Sequence, residues 1–151
     1  MKALIQRVTS AKVTVGSDII GEISRGWLVL LGVGKTDSGG EIPKLVEKLM
    51  DLRLFSDEDG KFNLSVKDVQ GEILVVSQFT LYADCRRGRR PGFTDAADPQ
   101  TARDLYERFV AALRSQMVKV ATGSFGADMK ISLVNDGPVT VMLDSNDFLK
   151  S

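Results

Sequence analysis

The 151-residue sequence predicts a single α+β domain over residues 1–151, built on mostly antiparallel β-sheet and containing two helices. Segments with strand-like composition lie at both ends of the chain, and two segments with apolar residues at helical spacing interrupt them. No repeat, linker or low-complexity stretch divides the sequence. These three observations together favour one α+β domain of ordinary size.

Three strands are predicted near the start of the chain. Residues 2–15 alternate in polarity and are rich in β-branched side chains. The turn formers Gly16, Ser17 and Asp18 separate this segment from a second predicted strand at residues 19–23. Residues 26–33 are apolar throughout, which is typical of a strand that is covered on both faces.

Two helices are predicted from the spacing of apolar residues. The first begins near Glu41, with Pro43 acceptable in its first turn. Its expected buried residues are Ile42, Leu45, Val46, Leu49 and Leu52. The second begins at Asp98-Pro99, with aspartate as the cap and proline at the first helical position. Its expected buried residues are Leu105, Phe109, Ala112, Leu113 and Met117.

The remaining segments between and after the helices predict strands. A turn at residues 56–60 precedes a short segment at 62–66, and residues 72–82 (EILVVSQFTLY) predict one strong strand. Residues 130–143 predict two strands joined through Asn135-Asp136-Gly137-Pro138. Both ends of the chain therefore contribute to the sheet.

Composition excludes several classes of chemistry. Twenty basic residues balance twenty acidic ones, so any contact with a nucleic acid is expected to be local. The absence of histidine excludes serine–histidine and cysteine–histidine catalysis, and a single cysteine excludes an intrachain disulfide and a thiolate metal cluster. No metal or cofactor is expected. The longest apolar stretch is too short for a membrane span, and the N-terminus lacks a signal-peptide core, so a cytoplasmic protein is expected.

A basic loop follows the strong strand. It places four guanidinium groups within five residues: Arg86, Arg87, Arg89 and Arg90. A run of charge is most often a solvated loop, but arginine forks also match phosphate oxygens. Both interpretations, a solvated loop and a contact with a phosphate backbone, remain open from the residues alone.

Two motifs, in this order, resemble the D-aminoacyl-tRNA deacylase family. The first is SQFTLYAD from Ser77 to Asp84, and the second is NDGPVT from Asn135 to Thr140. The chain also begins MKALIQRV, as members of that family do, and the resemblance extends over essentially its whole length. No motif position departs from the family pattern.

The resemblance implies a metal-free, cytoplasmic homodimer with a barrel-like sheet flanked by two helices and with its sites at the subunit interface. Such an enzyme hydrolyses the ester between a D-amino acid and tRNA, and also removes glycine mischarged onto tRNA. Its partners would be D-aminoacyl-tRNA and glycyl-tRNA, with no DNA and no membrane.

Residue roles are also implied by the resemblance. The floor of the ester site would comprise Ser77, Gln78, Phe79 and Thr80. Gly137-Pro138 would be a cis peptide that enters the partner's site and rejects L-amino acids, supported by Arg7, Asn135 and Thr140. Phe125 and Met129 would line the pocket for the terminal adenosine, and the basic loop would contact tRNA phosphates.

The mechanism and the function each keep an alternative. Backbone N–H groups near Phe79 and Thr80 can stabilise an oxyanion while the 2′-hydroxyl of the RNA handles a proton. Alternatively, Thr80 Oγ is a covalent nucleophile, although no base is visible in the sequence to activate it. Two functions other than catalysis also remain possible interpretations. One is a non-catalytic tRNA-binding module that uses residues 86–90, and the other is a structural dimer joined at a sheet edge.

Overall fold

The computed structural model describes residues 1–149 and contains two α-helices on a six-stranded sheet. The strands of this sheet are β1 (Lys2–Val15), β2 (Asp18–Ile23), β3 (Gly26–Gly32), β6 (Glu72–Ser77), β7 (Lys119–Thr122) and β8 (Lys130–Asp144). The short strands β4 (Phe55–Ser56) and β5 (Phe62–Leu64) form a separate hairpin. The helices are α1 (Ile42–Asp51) and α2 (Pro99–Arg114), and 3₁₀ helices span Phe79–Tyr82 and Ser145–Asp147.

Strand β1 organises the sheet. It pairs antiparallel with β2 and β3 along one edge and with β8 along the other. The pairs β3–β6 and β6–β7 are parallel, so the sheet is mixed. A Cβ at Gly21 in β2 would overlap the carbonyl of Thr122 in β7, which shows how closely these two strands approach. The sheet is therefore curled into a nearly closed barrel, and the predicted α+β class is confirmed.

The helices account for the two parallel pairings. Parallel neighbours cannot be joined by a tight hairpin and need a crossover connection. The chain between β3 and β6 contains α1, and the chain between β6 and β7 contains α2. At the start of α2 the Asp98 side chain accepts a hydrogen bond of 3.0 Å from the Thr101 N–H, which confirms the predicted cap.

Strand β3 is buried on both faces, as its apolar run predicts. Trp27, Val29 and Leu31 pack into the cluster that contains the helices. Leu28, which points to the opposite face, belongs to a second cluster inside the barrel, together with Leu74 of β6. Alternate residues of one strand therefore serve two cores.

The predicted strand over residues 72–82 is wrong beyond Ser77. The last residue pair between β3 and β6 joins Leu31 to Ser77, and the Gln78 N–H then donates to the Leu31 carbonyl over 2.8 Å. Beyond this point Gly32 ends β3, so the chain has no neighbour along which to continue as a strand. It turns instead into the 3₁₀ helix Phe79–Tyr82, and Leu81 packs back over Gly32.

Two smaller expectations were also wrong, and one strand was missed. Met117 was expected in the buried stripe of the second helix, but α2 ends at Arg114, and Met117 is 93 % exposed with a positive φ. Residues 130–143 were expected to form two strands. They lie within the single strand β8, whose residues 136–139 bulge away from β1. The four-residue strand β7 was not predicted because its length gives too little periodicity to detect.

Within residues 1–149, no helix is both long and apolar enough to cross a membrane.

Candidate active site

A cavity of about 460 Å³ opens where β6 gives way to the 3₁₀ helix. The structure brings five of the predicted site residues together in its lining: Ser77, Gln78, Phe79, Phe125 and Met129. They come from two parts of the chain that are about 50 residues apart in sequence, and the pairing of β6 with β7 unites them. We call this hollow the SQF cavity.

The start of the 3₁₀ helix leaves two backbone donors without protein partners. A helix leaves its first N–H groups without intrahelical partners, and Phe79 and Thr80 begin the 3₁₀ helix. Among residues 1–149, neither of these N–H groups donates to a protein oxygen, whereas the Gln78 N–H on one side is bonded to Leu31. Two adjacent donors, one of them on a residue that lines the cavity, therefore lack protein partners, and such a pair can bind an oxyanion.

The Thr80 hydroxyl lies beside an amide and has no base. The side-chain nitrogen of Gln78 donates a hydrogen bond to Thr80 Oγ1, and an amide nitrogen cannot accept a proton. No carboxylate of the described chain is hydrogen-bonded to this hydroxyl. Thr80 itself is exposed and does not belong to the cavity lining.

Two apolar side chains, Phe125 and Met129, form a wall of the SQF cavity. Phe125 packs against Tyr106, with ring centroids 5.8 Å apart, and the Tyr106 hydroxyl donates to the Val75 carbonyl over 2.9 Å. Burial raises the pKa of Tyr106 to about 12, so its hydroxyl stays neutral in this contact. Met129 is held against Gly123, where an added Cβ would lie 2.8 Å from the sulfur. Tyr106 and Gly123, which do not line the cavity, therefore pack against this wall.

The predicted support residues surround the Gly137-Pro138 segment in a second cluster. The Arg7 side chain is buried; its Nε donates to the Asp136 carbonyl over 2.8 Å and its Nη1 to the Leu54 carbonyl over 2.7 Å. The Gly137–Pro138 peptide bond is cis, and both residues are exposed.

The Asn135 side chain contacts the residues that follow Gly137-Pro138. Its side-chain oxygen accepts from the Val139 N–H over 2.8 Å, and its nitrogen lies 3.1 Å from Thr140 Oγ1. The Thr140 hydroxyl also lies 3.4 Å from the side-chain nitrogen of Gln6 on β1. The bulge at residues 136–139, which we call the Gly-Pro bulge, is thus braced at both ends.

The structure does not bring the Gly-Pro bulge to the SQF cavity of the same chain. Arg7, which holds the bulge, pairs with Trp27 of β3, whereas Ser77 pairs with Leu31 at the other end of that strand. Four residues of strand separate these registers, which corresponds to about 13 Å. Within one chain the two predicted parts of the site are therefore separate.

The basic loop lies beside the 3₁₀ helix. Phe93, just after the loop, packs edge-on against Phe79, with ring centroids 5.1 Å apart. Arg86 forms a two-pronged ion pair with Asp84, with nitrogen–oxygen distances of 2.8 Å, and this contact lowers the pKa of Asp84 to about 2. One of the four predicted guanidinium groups is therefore already paired. The other three lie on exposed residues and have no ion pair within residues 1–149: Arg87, Arg89 and Arg90.

No cluster of three or more acidic or cysteine side chains with metal-ligand geometry occurs in residues 1–149. One carboxylate, that of Asp128, lines the SQF cavity, and it lies 3.2 Å from the Lys130 amine. Sequence reasoning missed Asp128, Pro99 and Phe93 as neighbours of the site. Pro99 was assigned only to a helix start, and nothing in the local sequence distinguishes a lining residue from a cap.

Comparison with solved structures establishes the class of fold. The chain is similar to the "c-Myc DNA Unwinding Element Binding Protein", with a TM-score of 0.89 and 44 % identity, covering 95 % of this chain and 98 % of that one. It also shares its fold with a probable eukaryotic D-amino acid tRNA deacylase, at a TM-score of 0.79 and 17 % identity, covering 94 % and 97 %. The mixed, nearly closed barrel with two helices is therefore a known architecture.

The sequence comparisons identify the family. The family model described as D-Tyr-tRNA(Tyr) deacylase matches residues 4–144. A D-aminoacyl-tRNA deacylase of Thermotoga petrophila is 58 % identical over 97 % of this chain and 98 % of its own length. One from Clostridioides difficile is 53 % identical, again over 97 % and 98 %. The chain belongs to the D-Tyr-tRNA(Tyr) deacylase family.

Proposed function

We propose that this protein hydrolyses the ester between a D-amino acid and the 3′ end of tRNA. The observation that carries the proposal is the pair of free backbone N–H groups, of Phe79 and Thr80, at the edge of the SQF cavity. Phe125 and Met129 line the same cavity as Phe79, and its volume of about 460 Å³ is large enough for an aminoacyl-adenosine end. Relatives that are more than half identical over nearly the whole chain are named D-aminoacyl-tRNA deacylases.

The proposed chemistry uses backbone and substrate groups. Water attacks the ester carbonyl carbon, and the negative charge that develops on the carbonyl oxygen is stabilised by the N–H groups of Phe79 and Thr80. The bond to the ribose O3′ then breaks, so that O3′ leaves with a proton and the amino acid leaves as its carboxylate. The neighbouring 2′-hydroxyl of the RNA relays the proton, a role that a chain without histidine does not fill with imidazole.

The competing mechanism, with Thr80 as a covalent nucleophile, is less well supported because its hydroxyl contacts an amide rather than a base. Thr80→Ala removes the hydroxyl and retains the backbone N–H. We expect substantial deacylation to survive in this variant, and we expect a much larger loss when the terminal adenosine lacks its 2′-hydroxyl. An acyl group trapped on Thr80 would contradict the proposed direct attack by water.

The Gly-Pro bulge would supply the selection for D-amino acids, acting in the SQF cavity of a partner subunit. Its exposure, its bracing by Arg7 and Asn135 and its absence from the lining of its own cavity support an action in trans. A rigid barrier on one side of the α-carbon excludes an L side chain and admits both a D side chain and glycine. We therefore extend the substrate range to glycyl-tRNA and propose that the enzyme works as a homodimer.

Mixed dimers test this arrangement. One subunit carries Ser77→Trp, which fills the SQF cavity, and the other carries Pro138→Ala in the Gly-Pro bulge. If the bulge acts in trans, one composite site retains both wild-type parts, and the mixture regains D-specific hydrolysis that neither homodimer has. If it acts in cis, no site is whole, and the absence of recovery would refute the proposed arrangement.

The direct test of the proposed function is release of D-tyrosine from D-tyrosyl-tRNA by the purified protein, with L-tyrosyl-tRNA as the matched control. Hydrolysis of the D-ester alone is the expected result. Binding without turnover would instead favour the non-catalytic tRNA-binding module, and neither binding nor turnover would favour a structural dimer. Because tRNA is aminoacylated in the cytoplasm, we propose that the protein acts there. We also propose that a single domain over residues 1–151 carries the activity.

The basic loop would contact tRNA phosphates through its three unpaired arginines. Arg87→Ala combined with Arg89→Ala is expected to raise KM for full-length tRNA and to flatten its salt dependence, with little effect on an aminoacyl-adenosine ester. Arg86 is a less informative position because its guanidinium is held by Asp84. Equal losses on both substrates would show that the loop shapes the site rather than contacting phosphates.

A further inference from the structure

A second hollow, of about 250 Å³, adjoins the SQF cavity on the surface of α2. The two hollows share Phe125, which stands between them. Pro99 lines the first hollow and Arg103 lines the second. These two residues are one helical turn, or about 6 Å, apart along α2. An extended ligand with one end in the SQF cavity therefore continues along the same face of the helix. We call the second hollow the α2 groove.

The α2 groove combines arginine side chains with an aromatic ring. The Arg103 guanidinium carbon lies 4.9 Å from the centroid of the Phe125 ring, and the residue is exposed. No carboxylate of residues 1–149 forms an ion pair with it. Arg114 lines the far end of the groove and donates to the Val120 carbonyl over 3.3 Å, and Glu107 is the one carboxylate in the lining.

This chemistry matches a nucleotide. The N–H edge of an arginine fits phosphate oxygens, and the guanidinium plane stacks on the faces of bases. The ring of Phe125 holds the Arg103 plane in place, so less side-chain freedom is lost when a ligand binds. A carboxylate such as Glu107 repels a phosphate but accepts hydrogen bonds from the exocyclic amine of a cytosine.

We propose that the α2 groove binds the penultimate nucleotide of the tRNA acceptor strand and that Arg103 contacts the phosphate joining it to the terminal adenosine. The inference rests on the proposed function, which places that adenosine in the SQF cavity. No residue of the basic loop lines the α2 groove, so we assign that loop to a different part of the tRNA. Arg103 is therefore a substrate-binding residue that the sequence motifs do not include.

The test compares two substrates, the D-tyrosyl ester of adenosine and that of the dinucleotide cytidylyl-adenosine. For the wild-type protein we expect a higher kcat/KM on the dinucleotide. Arg103→Met should lower that value about tenfold, mainly through KM, because one charge-assisted hydrogen bond to a phosphate is lost. It should leave the adenosine ester unchanged. The rise of KM with salt concentration on the dinucleotide should also become smaller, because one contact between a cation and a phosphate is lost.

A matched control comes from the same helix. Arg108 is also exposed, but it lies against Gly39 and not in the α2 groove. Arg108→Met should therefore leave kcat/KM unchanged on both substrates. Equal losses on both substrates in Arg103→Met would mean that Arg103 only supports Phe125, and unchanged kinetics would mean that the groove is not used. Either result would overturn the inference and leave the proposed function standing. Failure of the wild-type protein to hydrolyse D-tyrosyl-tRNA would refute the proposed function itself.

Discussion

Replacement of Arg7 should weaken the fold and the Gly-Pro bulge together. Its guanidinium donates two short hydrogen bonds, to the Asp136 carbonyl over 2.8 Å and to the Leu54 carbonyl over 2.7 Å, and the residue is 8 % exposed. A hydrogen bond from a charged donor contributes roughly 1.5–3 kcal/mol. Arg7→Met retains most of the side-chain volume and removes both bonds, so we expect the free energy of unfolding to fall by about 3 kcal/mol.

Urea unfolding at a fixed protein concentration measures this loss, since the stability of the proposed homodimer would depend on protein concentration. With a slope of about 2 kcal/mol per molar urea, the midpoint should fall by about 1.5 M. Arg7→Lys serves as the matched variant because an ammonium group keeps the charge but lacks the fork that reaches two carbonyls at once. It should lose roughly half as much stability.

Activity provides a second measurement on the same variant. If Arg7 holds the Gly-Pro bulge in the position that excludes L-amino acids, Arg7→Met should narrow the ratio of D-tyrosyl-tRNA to L-tyrosyl-tRNA hydrolysis. A midpoint shift below about 0.5 M would refute the argument that these two hydrogen bonds stabilise the fold. An unchanged ratio of D to L hydrolysis, in a variant with the expected loss of stability, would refute the link between Arg7 and selectivity.

Four further outcomes are expected. Gly123→Ala should push Met129 into the SQF cavity and lower kcat/KM several-fold, with a change in unfolding free energy below about 1 kcal/mol because a flexible side chain gives way. Asn135→Ala should cost about 1–2 kcal/mol in urea unfolding through its lost hydrogen bonds. The Asp84 carboxyl should titrate near pH 2 by NMR, because its pKa is lowered to about 2 by Arg86. The stabilisation from this ion pair is therefore fully present above the ordinary pKa of an aspartate and is lost as the pH falls through about 2. Arg86→Ala should return the titration midpoint of Asp84 towards the ordinary value. EDTA should not change the hydrolysis of an aminoacyl-adenosine ester, whereas loss of activity restored by a transition metal would contradict the metal-free assignment.

Local sequence patterns predicted most of the elements because their causes are local. The turn after β1, the helix start at Asp98-Pro99 and the apolar run of β3 each depend on residues within one short segment. The same patterns failed at Ser77. Residues 78–82 have strand-like composition, and they leave the sheet only because the neighbouring strand ends at Gly32. A strand requires a partner, and the position of that partner is not a local property.

For the site, the sequence by itself limited the chemistry that is available, and the tertiary structure decided the geometry. A chain with no histidine and one cysteine excludes imidazole and thiolate-cluster chemistry whatever its fold, because those groups are absent. The free N–H groups of Phe79 and Thr80 exist only because β6 ends where it does. The separation of the Gly-Pro bulge from the SQF cavity of its own chain arises from strand register. Register is set by contacts between segments far apart in sequence.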